Sequence, residues 1–417
     1  MKSKRMTKWF RLLLLQLTIF LFFGLSVKAQ YTWNNDSLFK AGAPNTGRLW
    51  GYYFGDYYYK SHADSLNRGG SNQYTGIPQG RQEWQTRRIY LGYDYNISKT
   101  FSAELLLAAE DNITTGNGTT SGDLLSDNKL TFYIKNANLR WKNIWKGTDL
   151  VIGELATPAF PLLTERIWGY RSSERTISDI RRTPSYDLGA SLQGKFDAKG
   201  NFGYNIMAGN GTGAKPENDN FEWFYGDVYA MFFDKRLVVD LYGDYERLNW
   251  TANWHHSRQM WKGYAAWNTN AFTIGVEAYI NNLQNDNFAT KIAGGIDTLS
   301  VQAKGISFYA TGFIIPKYVR FFARYDLYQP DNKIDNSIYN KYVGNTSNYN
   351  DPSTKESFLN VGLDLVPMRN VHFMPNVWMN TYTNQGYTFK YDSYDLAWRM
   401  TVFFVFGRDV NYSISNK

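Results

Sequence analysis

The 417-residue sequence predicts an all-β protein that crosses a membrane as an antiparallel up-and-down β-barrel of about sixteen strands. Three observations predict this fold. Segments of about ten residues alternate apolar and polar side chains, which is the period of a strand with two different faces. The connections between these segments alternate long and short, as in outer-membrane barrels. Aromatic residues make up 18% of the chain, which is more than a soluble core buries.

The composition excludes several other classes of protein. The chain has no cysteine, which rules out a disulfide scaffold, a thiolate metal site and a cysteine nucleophile. Its mean hydropathy of -0.47 disfavours a bundle of membrane helices. A transmembrane helix needs about 20 mostly apolar residues, and only the N-terminus approaches that length.

Residues 1–29 are predicted to be a signal peptide that is removed on secretion. A basic stretch precedes an apolar run from Leu12 to Leu25, and Ala29 completes a cleavage site before Gln30. The alternative is an N-terminal anchor helix. Six basic residues and no acid precede Gln30, so the net charge of +8 falls to nearly +2 after cleavage. The sequence therefore predicts a secreted chain with no nucleic-acid partner.

After a short periplasmic segment at 30–47, the barrel is predicted to occupy 48–417. A representative hairpin runs from Arg88 to Tyr95, turns at 96–99 and continues from Phe101 with the same alternation. Sixteen such segments are predicted, at 48–59, 86–95, 100–111, 129–142, 148–156, 185–196, 201–209, 221–233, 236–248, 259–268, 271–281, 303–315, 318–329, 357–366, 371–381 and 392–406.

The connections indicate which end of each strand faces outward. Seven connections of about two to six residues are typical of periplasmic turns, and the long ones are typical of external loops. The long connections are predicted at 60–85, 112–128, 157–184, 210–220, 249–258, 282–302, 330–356 and 382–391. Proline cannot donate to a β-ladder, and ten of the eleven prolines fall outside the predicted strands. The exceptions to the pattern are Pro375, inside a predicted strand, and Lys135, which alternation points at lipid unless a bulge shifts the phase.

The polar phase of the strands predicts a wet lumen. It carries seven basic and eleven acidic positions, and charges at this density require water. Sixteen strands also leave an interior too wide for side chains to fill. The alternative is a barrel plugged by its own loops. Basic residues expected on the lumen wall include Arg88, Arg140, Lys195, Arg320, Arg324 and Arg399.

The third long connection, at 157–184, is the strongest candidate for a pore constriction. Charged side chains crowd it between flanking prolines, and a charged loop folded into a lumen sets the local field. The alternative is a solvated external loop. The predicted constriction residues are Glu165, Arg166, Arg171, Arg175, Asp179, Arg181 and Arg182.

Several stretches resemble the phosphate-selective porin O and P family. They include Arg87-Arg88-Ile89-Tyr90-Leu91-Gly92-Tyr93, the segment Trp168-Gly169-Tyr170-Arg171, and the paired strands 187–196 and 208–211. The resemblance covers most of the mature chain through strand patterns. It implies a sixteen-stranded porin, often trimeric, that passes small anions or solutes. Phosphate selection in that family is associated with a basic lumen, whereas the lumen-facing positions here carry more acids than bases. The resemblance therefore predicts a porin but does not predict specificity for phosphate.

The predicted function is therefore passive diffusion of small hydrophilic solutes or anions through the outer membrane of a Gram-negative bacterium. The expected partners are membrane lipid, the solutes themselves and two further copies of the chain in a homotrimer. The four histidines form no Ser/His pattern, so no enzyme is predicted, and neither is a metal or cofactor. The alternative function is a non-conducting surface-binding or secretion-accessory barrel, suggested by the large predicted loops at 60–85 and 330–356.

Overall fold

The computed structural model of the protein describes residues 43–70, 72–110, 131–181, 184–217, 219–251, 254–344, 352–385 and 391–408. The signal peptide predicted at 1–29 and most of the segment predicted at 30–47 lie outside these residues. No helix among the described residues is long and apolar enough to span a membrane.

The described residues form seventeen strands and two short helices. The strands are β1 (Thr46–His62), β2 (Gln82–Asn96), β3 (Phe101–Glu110), β4 (Tyr133–Trp145), β5 (Thr148–Ala156), β6 (Tyr186–Lys195), β7 (Phe202–Gly209), β8 (Trp223–Phe232), β9 (Leu237–Thr251), β10 (Trp254–Asn268), β11 (Phe272–Lys291), β12 (Ile296–Ile315), β13 (Val319–Gln329), β14 (Tyr339–Gly344), β15 (Thr354–Met368), β16 (Val371–Asn384) and β17 (Ser393–Phe406). The helices, α1 (Thr164–Trp168) and α2 (Ile177–Arg181), both lie between β5 and β6.

Sixteen of these strands close into one barrel. Each pairs antiparallel with the next along the chain, and β17 pairs with β1, so the sheet has no free edge. Closure matters because a backbone amide in hydrocarbon has no water to bond. The strand β14 stands outside this ring and pairs with the far end of β11. The prediction of sixteen barrel strands is confirmed, and so are the seven short connections of two to six residues.

The opposite end of the barrel differs from the sequence prediction in three places, one of which is β14, within the connection predicted at 330–356. Residues 249–258 and 282–302 were expected to be loops, but β9 and β10 leave only 252–253 between them, and β11 and β12 leave only 292–295. In both hairpins the ladder continues beyond the expected strand ends: Ser257 pairs with Arg247, and Ala289 pairs with Asp297. The residue pattern failed here because a strand outside the membrane needs no apolar face.

The two faces of the strands meet different surroundings. On β11, Ile274 and Ile280 are 56% and 41% exposed on the outside of the barrel, whereas Glu277 and Tyr279 are 3% and 4% exposed on the inside. The apolar phase therefore faces outward, where lipid can cover it, and the polar phase faces inward. This distribution is the reverse of a soluble protein's, and it is typical of a membrane barrel.

The two exceptions to the sequence pattern, Lys135 and Pro375, are accommodated in different ways. In the β3–β4 ladder, Leu106 pairs with Asn136 and Leu107 with Ile134, so Lys135 is the extra residue of a bulge and turns inward. Pro375 lies within β16 opposite Met400, which confirms this strand despite the proline. Pro367, expected in a turn, is instead in β15, where pairing is irregular between Leu365 and Met368.

Candidate functional site

The described residues of the connection between β5 and β6, 157–181 and 184–185, lie inside the barrel, and we call them the interior loop. Its large side chains are almost completely buried: Phe160, Trp168, Tyr170 and Ile177 are each at most 1% exposed. Helix α1 ends at Gly169, whose φ of 70° gives the left-handed conformation that favours glycine. This turn separates Trp168 from Tyr170, which pack on neighbouring barrel strands.

Tyr170 fixes the interior loop to β13 and β15. Its ring stacks on Phe322 at a centroid distance of 4.7 Å. Its hydroxyl donates to the Asp364 carboxylate at 3.1 Å and accepts from the Arg320 Nε at 3.1 Å. His372 bonds the other oxygen of Asp364 at 2.9 Å, so one buried network joins the loop to three strands.

The segment after Tyr170 is held by cations and a tryptophan on β2, β16 and β17. Arg87 donates to the carbonyls of Ser172 and Ser173 at 2.8 and 3.0 Å. Arg399 donates to the Ser173 hydroxyl at 3.3 Å, and the Trp378 indole donates to Glu174 at 2.7 Å. Hydrogen bonds that involve a charged group are roughly twice as strong as neutral ones.

Further contacts fix the loop to the wall formed by β10, β13 and β15. Lys262 donates to the Ala159 carbonyl, and Arg324 donates to the Arg175 carbonyl. Arg181 on α2 makes a bidentate pair with Glu356 at 2.8 and 3.2 Å. The loop thus crosses from β5 to the opposite side of the barrel and fills that side, which we call the packed side.

Part of the connection between β1 and β2 packs on the same side. Tyr74 contacts Trp378 at a ring-centroid distance of 5.0 Å, and Asn72 donates to Glu356 at 2.7 Å. Within this connection Arg68 pairs with Asp64 at 2.9 Å. Burial acts to raise the pKa of Asp64, but hydrogen bonds from the Arg68 side chain and backbone outweigh it and hold the pKa below its usual value.

A cavity of about 250 Å³ remains between the interior loop and strands β2 to β6. We call it the charged cleft. Arg88 and Lys135 both pair with Glu110 on its strand side, the second at 3.0 Å. Arg171 pairs with Glu165 and Asp179 on its loop side. The side chains around the cleft are Arg88, Glu110, Tyr133, Lys135, Arg171, Arg175, Asp179 and Tyr186.

The residues predicted for the constriction are placed differently from one another. Arg171, Arg175 and Asp179 line the charged cleft, and Glu165 joins them through Arg171. Arg166 is exposed and donates to the Pro161 carbonyl at 3.1 Å. Arg181 points instead to Glu356 on the packed side. Arg182 lies outside the described residues.

The residues predicted for the lumen wall also separate into two groups. Arg88 lines the cleft, and Arg140 pairs with Asp149 at 3.0 Å. Arg320, Arg324 and Arg399 are at most 4% exposed beneath the interior loop and contact it directly. Lys195 is exposed at the last position of β6.

Simple alternation misplaces two inward cations because each sits at a bulge; the sequence indicated Lys135 as such an exception but gave no expectation for Arg87. Phe54 pairs with Arg88 and Gly55 with Thr86, so Arg87 is an extra residue in β2, as Lys135 is in β4. Simple alternation sends one of two adjacent arginines toward lipid, where a cation costs roughly 2–4 kcal/mol at the bilayer midplane. The Arg87-Arg88 pair in a strand was therefore the available sign of a bulge.

Comparison with known proteins identifies the fold. No protein-family model and no curated protein matches this sequence. The outer membrane channel DcaP of Acinetobacter baumannii is 12% identical with a TM-score of 0.57, covering 88% of this chain and 99% of that one. The anion-selective porin from Comamonas acidovorans is 12% identical with a TM-score of 0.53, covering 87% and 100%. OmpT of Vibrio cholerae in its trimer form is 13% identical, also with a TM-score of 0.53, covering 87% and 100%.

These likenesses and the closed ring of strands define the class of protein. The chain has the sixteen-stranded antiparallel barrel of outer-membrane porins and channels. Its lipid-facing apolar exterior places it in the outer membrane of a Gram-negative bacterium.

Proposed function

We propose that this barrel is a non-enzymatic channel for passive diffusion of small hydrophilic solutes across the outer membrane. The charged cleft carries the proposal. An unfilled space bordered by ionised side chains inside a barrel holds water, because ions without water or a partner cost several kcal/mol each. A solute that replaces this water can exchange hydrogen bonds with the lining side chains as it passes.

We propose further that the cleft prefers anions. Four cations line it (Arg88, Lys135, Arg171 and Arg175), against the carboxylates of Glu110 and Asp179. A surplus of one sign on low-dielectric walls raises the local concentration of the opposite ion. Acidic residues such as Asp227, Asp240 and Glu277 are buried on other strands. The proposal is a general preference for small anions and does not extend to phosphate.

The test is ion conductance of the purified, refolded protein in a planar bilayer. We expect discrete current steps and a reversal potential on the anion side in a salt gradient. Replacing Arg171 and Arg175 by glutamine should move the reversal potential toward cations, whereas Lys199→Gln, in an exposed turn, should not. Folded protein without any current would refute the channel and favour the non-conducting surface-binding or secretion-accessory barrel.

We also propose that the chain assembles as a homotrimer. OmpT of Vibrio cholerae has a trimer form, and its barrel resembles this one. Mass measurement of the detergent-solubilised protein tests the stoichiometry. A mass of one chain plus its detergent would contradict the trimer without affecting the proposed diffusion path.

A further inference from the structure

The chain turns into the barrel where the last strand ends. Gly407 follows β17 with a φ of 73°, and a Cβ built on it would lie 2.1 Å from the Leu49 carbonyl oxygen. Only glycine combines this backbone conformation with so close an approach to β1. The next residue, Arg408, is therefore directed over the inner face of β1 instead of away from the barrel.

The Arg408 side chain lies flat on the aromatic residues of that inner face. Its guanidinium carbon is 3.7 Å from the centroid of the Trp50 ring and 5.3 Å from that of Tyr52. Asn370, in the turn between β15 and β16, donates to the Arg408 carbonyl at 2.9 Å. A cation stacked on a tryptophan face is a favourable arrangement, and the Asn370 hydrogen bond fixes the backbone that carries it.

Polar side chains lie near Arg408, and packed aromatic rings connect it to the charged cleft. Trp50 donates to Asp94 at 2.9 Å, and Arg48 pairs with the same carboxylate at 2.7 Å. Tyr52, beneath Arg408, packs on Tyr90 at a ring-centroid distance of 4.5 Å, and the Tyr90 hydroxyl donates to Glu110 of the cleft at 3.1 Å. Asp94 follows Arg88 on β2 in the direction of the short turns, so Arg408 lies on the short-turn side of the charged cleft.

We propose that Arg408 is a second specificity-determining residue of the channel, at the periplasmic end of the path that begins at the charged cleft. This inference rests on the proposed function. A guanidinium held by its face against Trp50 keeps its edge N–H groups for a passing anion, and the planar fork suits carboxylate and phosphate groups. Arg408 thus adds a fixed positive charge where solutes leave toward the periplasm.

Cysteine modification tests this position directly, because the native chain contains no cysteine. Arg408→Cys is compared with Lys99→Cys, in an exposed turn at the same end of the barrel. A positively or a negatively charged methanethiosulfonate reagent is added on the short-turn side of a bilayer that holds open channels. We expect both reagents to change the Arg408→Cys current, with reversal potentials displaced in opposite directions. Neither reagent should change Lys99→Cys or the unmodified protein.

A second pair of variants keeps the test decisive if Arg408→Cys does not fold. Arg408→Lys should retain the reversal potential of the native channel, and Arg408→Gln should shift it toward cations. Native channels that conduct, together with an Arg408→Gln reversal potential equal to the native one, would overturn the role of Arg408. Absence of current from the native protein would instead overturn the proposed function.

Discussion

Two sides of one lumen use the same residue types for different purposes. On the packed side, cations bond the interior loop itself: Arg87 and Arg324 donate to its carbonyls, and Arg399 donates to the Ser173 hydroxyl. On the cleft side, Arg88 and Lys135 share Glu110. Cations on the packed side therefore position the loop, whereas cations on the cleft side remain beside open space.

Cations on the packed side should therefore determine the stability of the folded protein, and cations at the cleft should determine the ion selectivity of the channel. A buried cation that serves a backbone carbonyl leaves that carbonyl unsatisfied when it is removed, at a cost of about 1–3 kcal/mol. A cation beside water can be replaced by a neutral polar group at little cost, because water solvates the partner it leaves. We expect the two kinds of substitution to alter different measurements.

The largest effect should follow from removing the interior loop. Replacement of 162–180 by a short Gly-Ser linker takes away the side chains that fill the packed side, and the charged wall behind them can be hydrated. We expect single-channel conductance to rise several-fold. The measurement is bilayer conductance, with heat-modifiable migration in gel electrophoresis as the control for folding. A folded variant with native conductance would show that ions do not pass beside the loop.

A smaller but clear effect is expected from one cation on the packed side. Arg324→Met leaves the Arg175 carbonyl and the Asp326 carboxylate without this donor. We expect a lower temperature of unfolding and noisier open-channel current, because the interior loop loses a hydrogen bond to the barrel wall near its centre. The reversal potential should stay near the native value. A large shift in selectivity without a loss of stability would contradict the separation of the two sides.

The sequence predicts a strand of this barrel only where one face of the strand contacts lipid and the other contacts water. Alternation with period two predicted every barrel strand, because lipid outside and water inside impose opposite demands on adjacent residues. The same rule failed at Arg87 and Lys135, where one extra residue changes the phase. The rule did not predict β14 or the strand extensions near Ser257 and Ala289, because these segments do not face lipid.

The candidate site was predictable only in part. Charge and length singled out the connection at 157–184, and Arg171, Arg175 and Asp179 do line the cleft. Which side of the barrel the loop occupies depends on contacts such as Trp378 with Glu174, between residues about 200 positions apart. Local sequence carries no information on such a pairing.

On the cleft side, opposite substitutions should have opposite effects. Arg88→Gln removes a positive charge from the cleft, and Glu110→Gln removes a negative one. We expect the reversal potential to move toward cations in the first variant and toward anions in the second, with moderate changes in conductance. A general disturbance of the wall would move both variants the same way, so equal signs would contradict the electrostatic explanation.

The smallest effect is expected from deleting Lys135, the extra residue of the bulge in β4. Lys135 is the extra residue of its bulge, so its deletion leaves the pairs Leu106–Asn136 and Leu107–Ile134 in place. Such a variant should fold with native thermal stability and show only a small shift of reversal potential toward cations. Deletion of Asn138, a paired residue of the same strand, reverses the faces of the residues on one side of it and should abolish folding. If both deletions prevented folding, the β3–β4 ladder would require Lys135. The interpretation of Lys135 as an unpaired bulge residue that contributes only its charge would then be wrong.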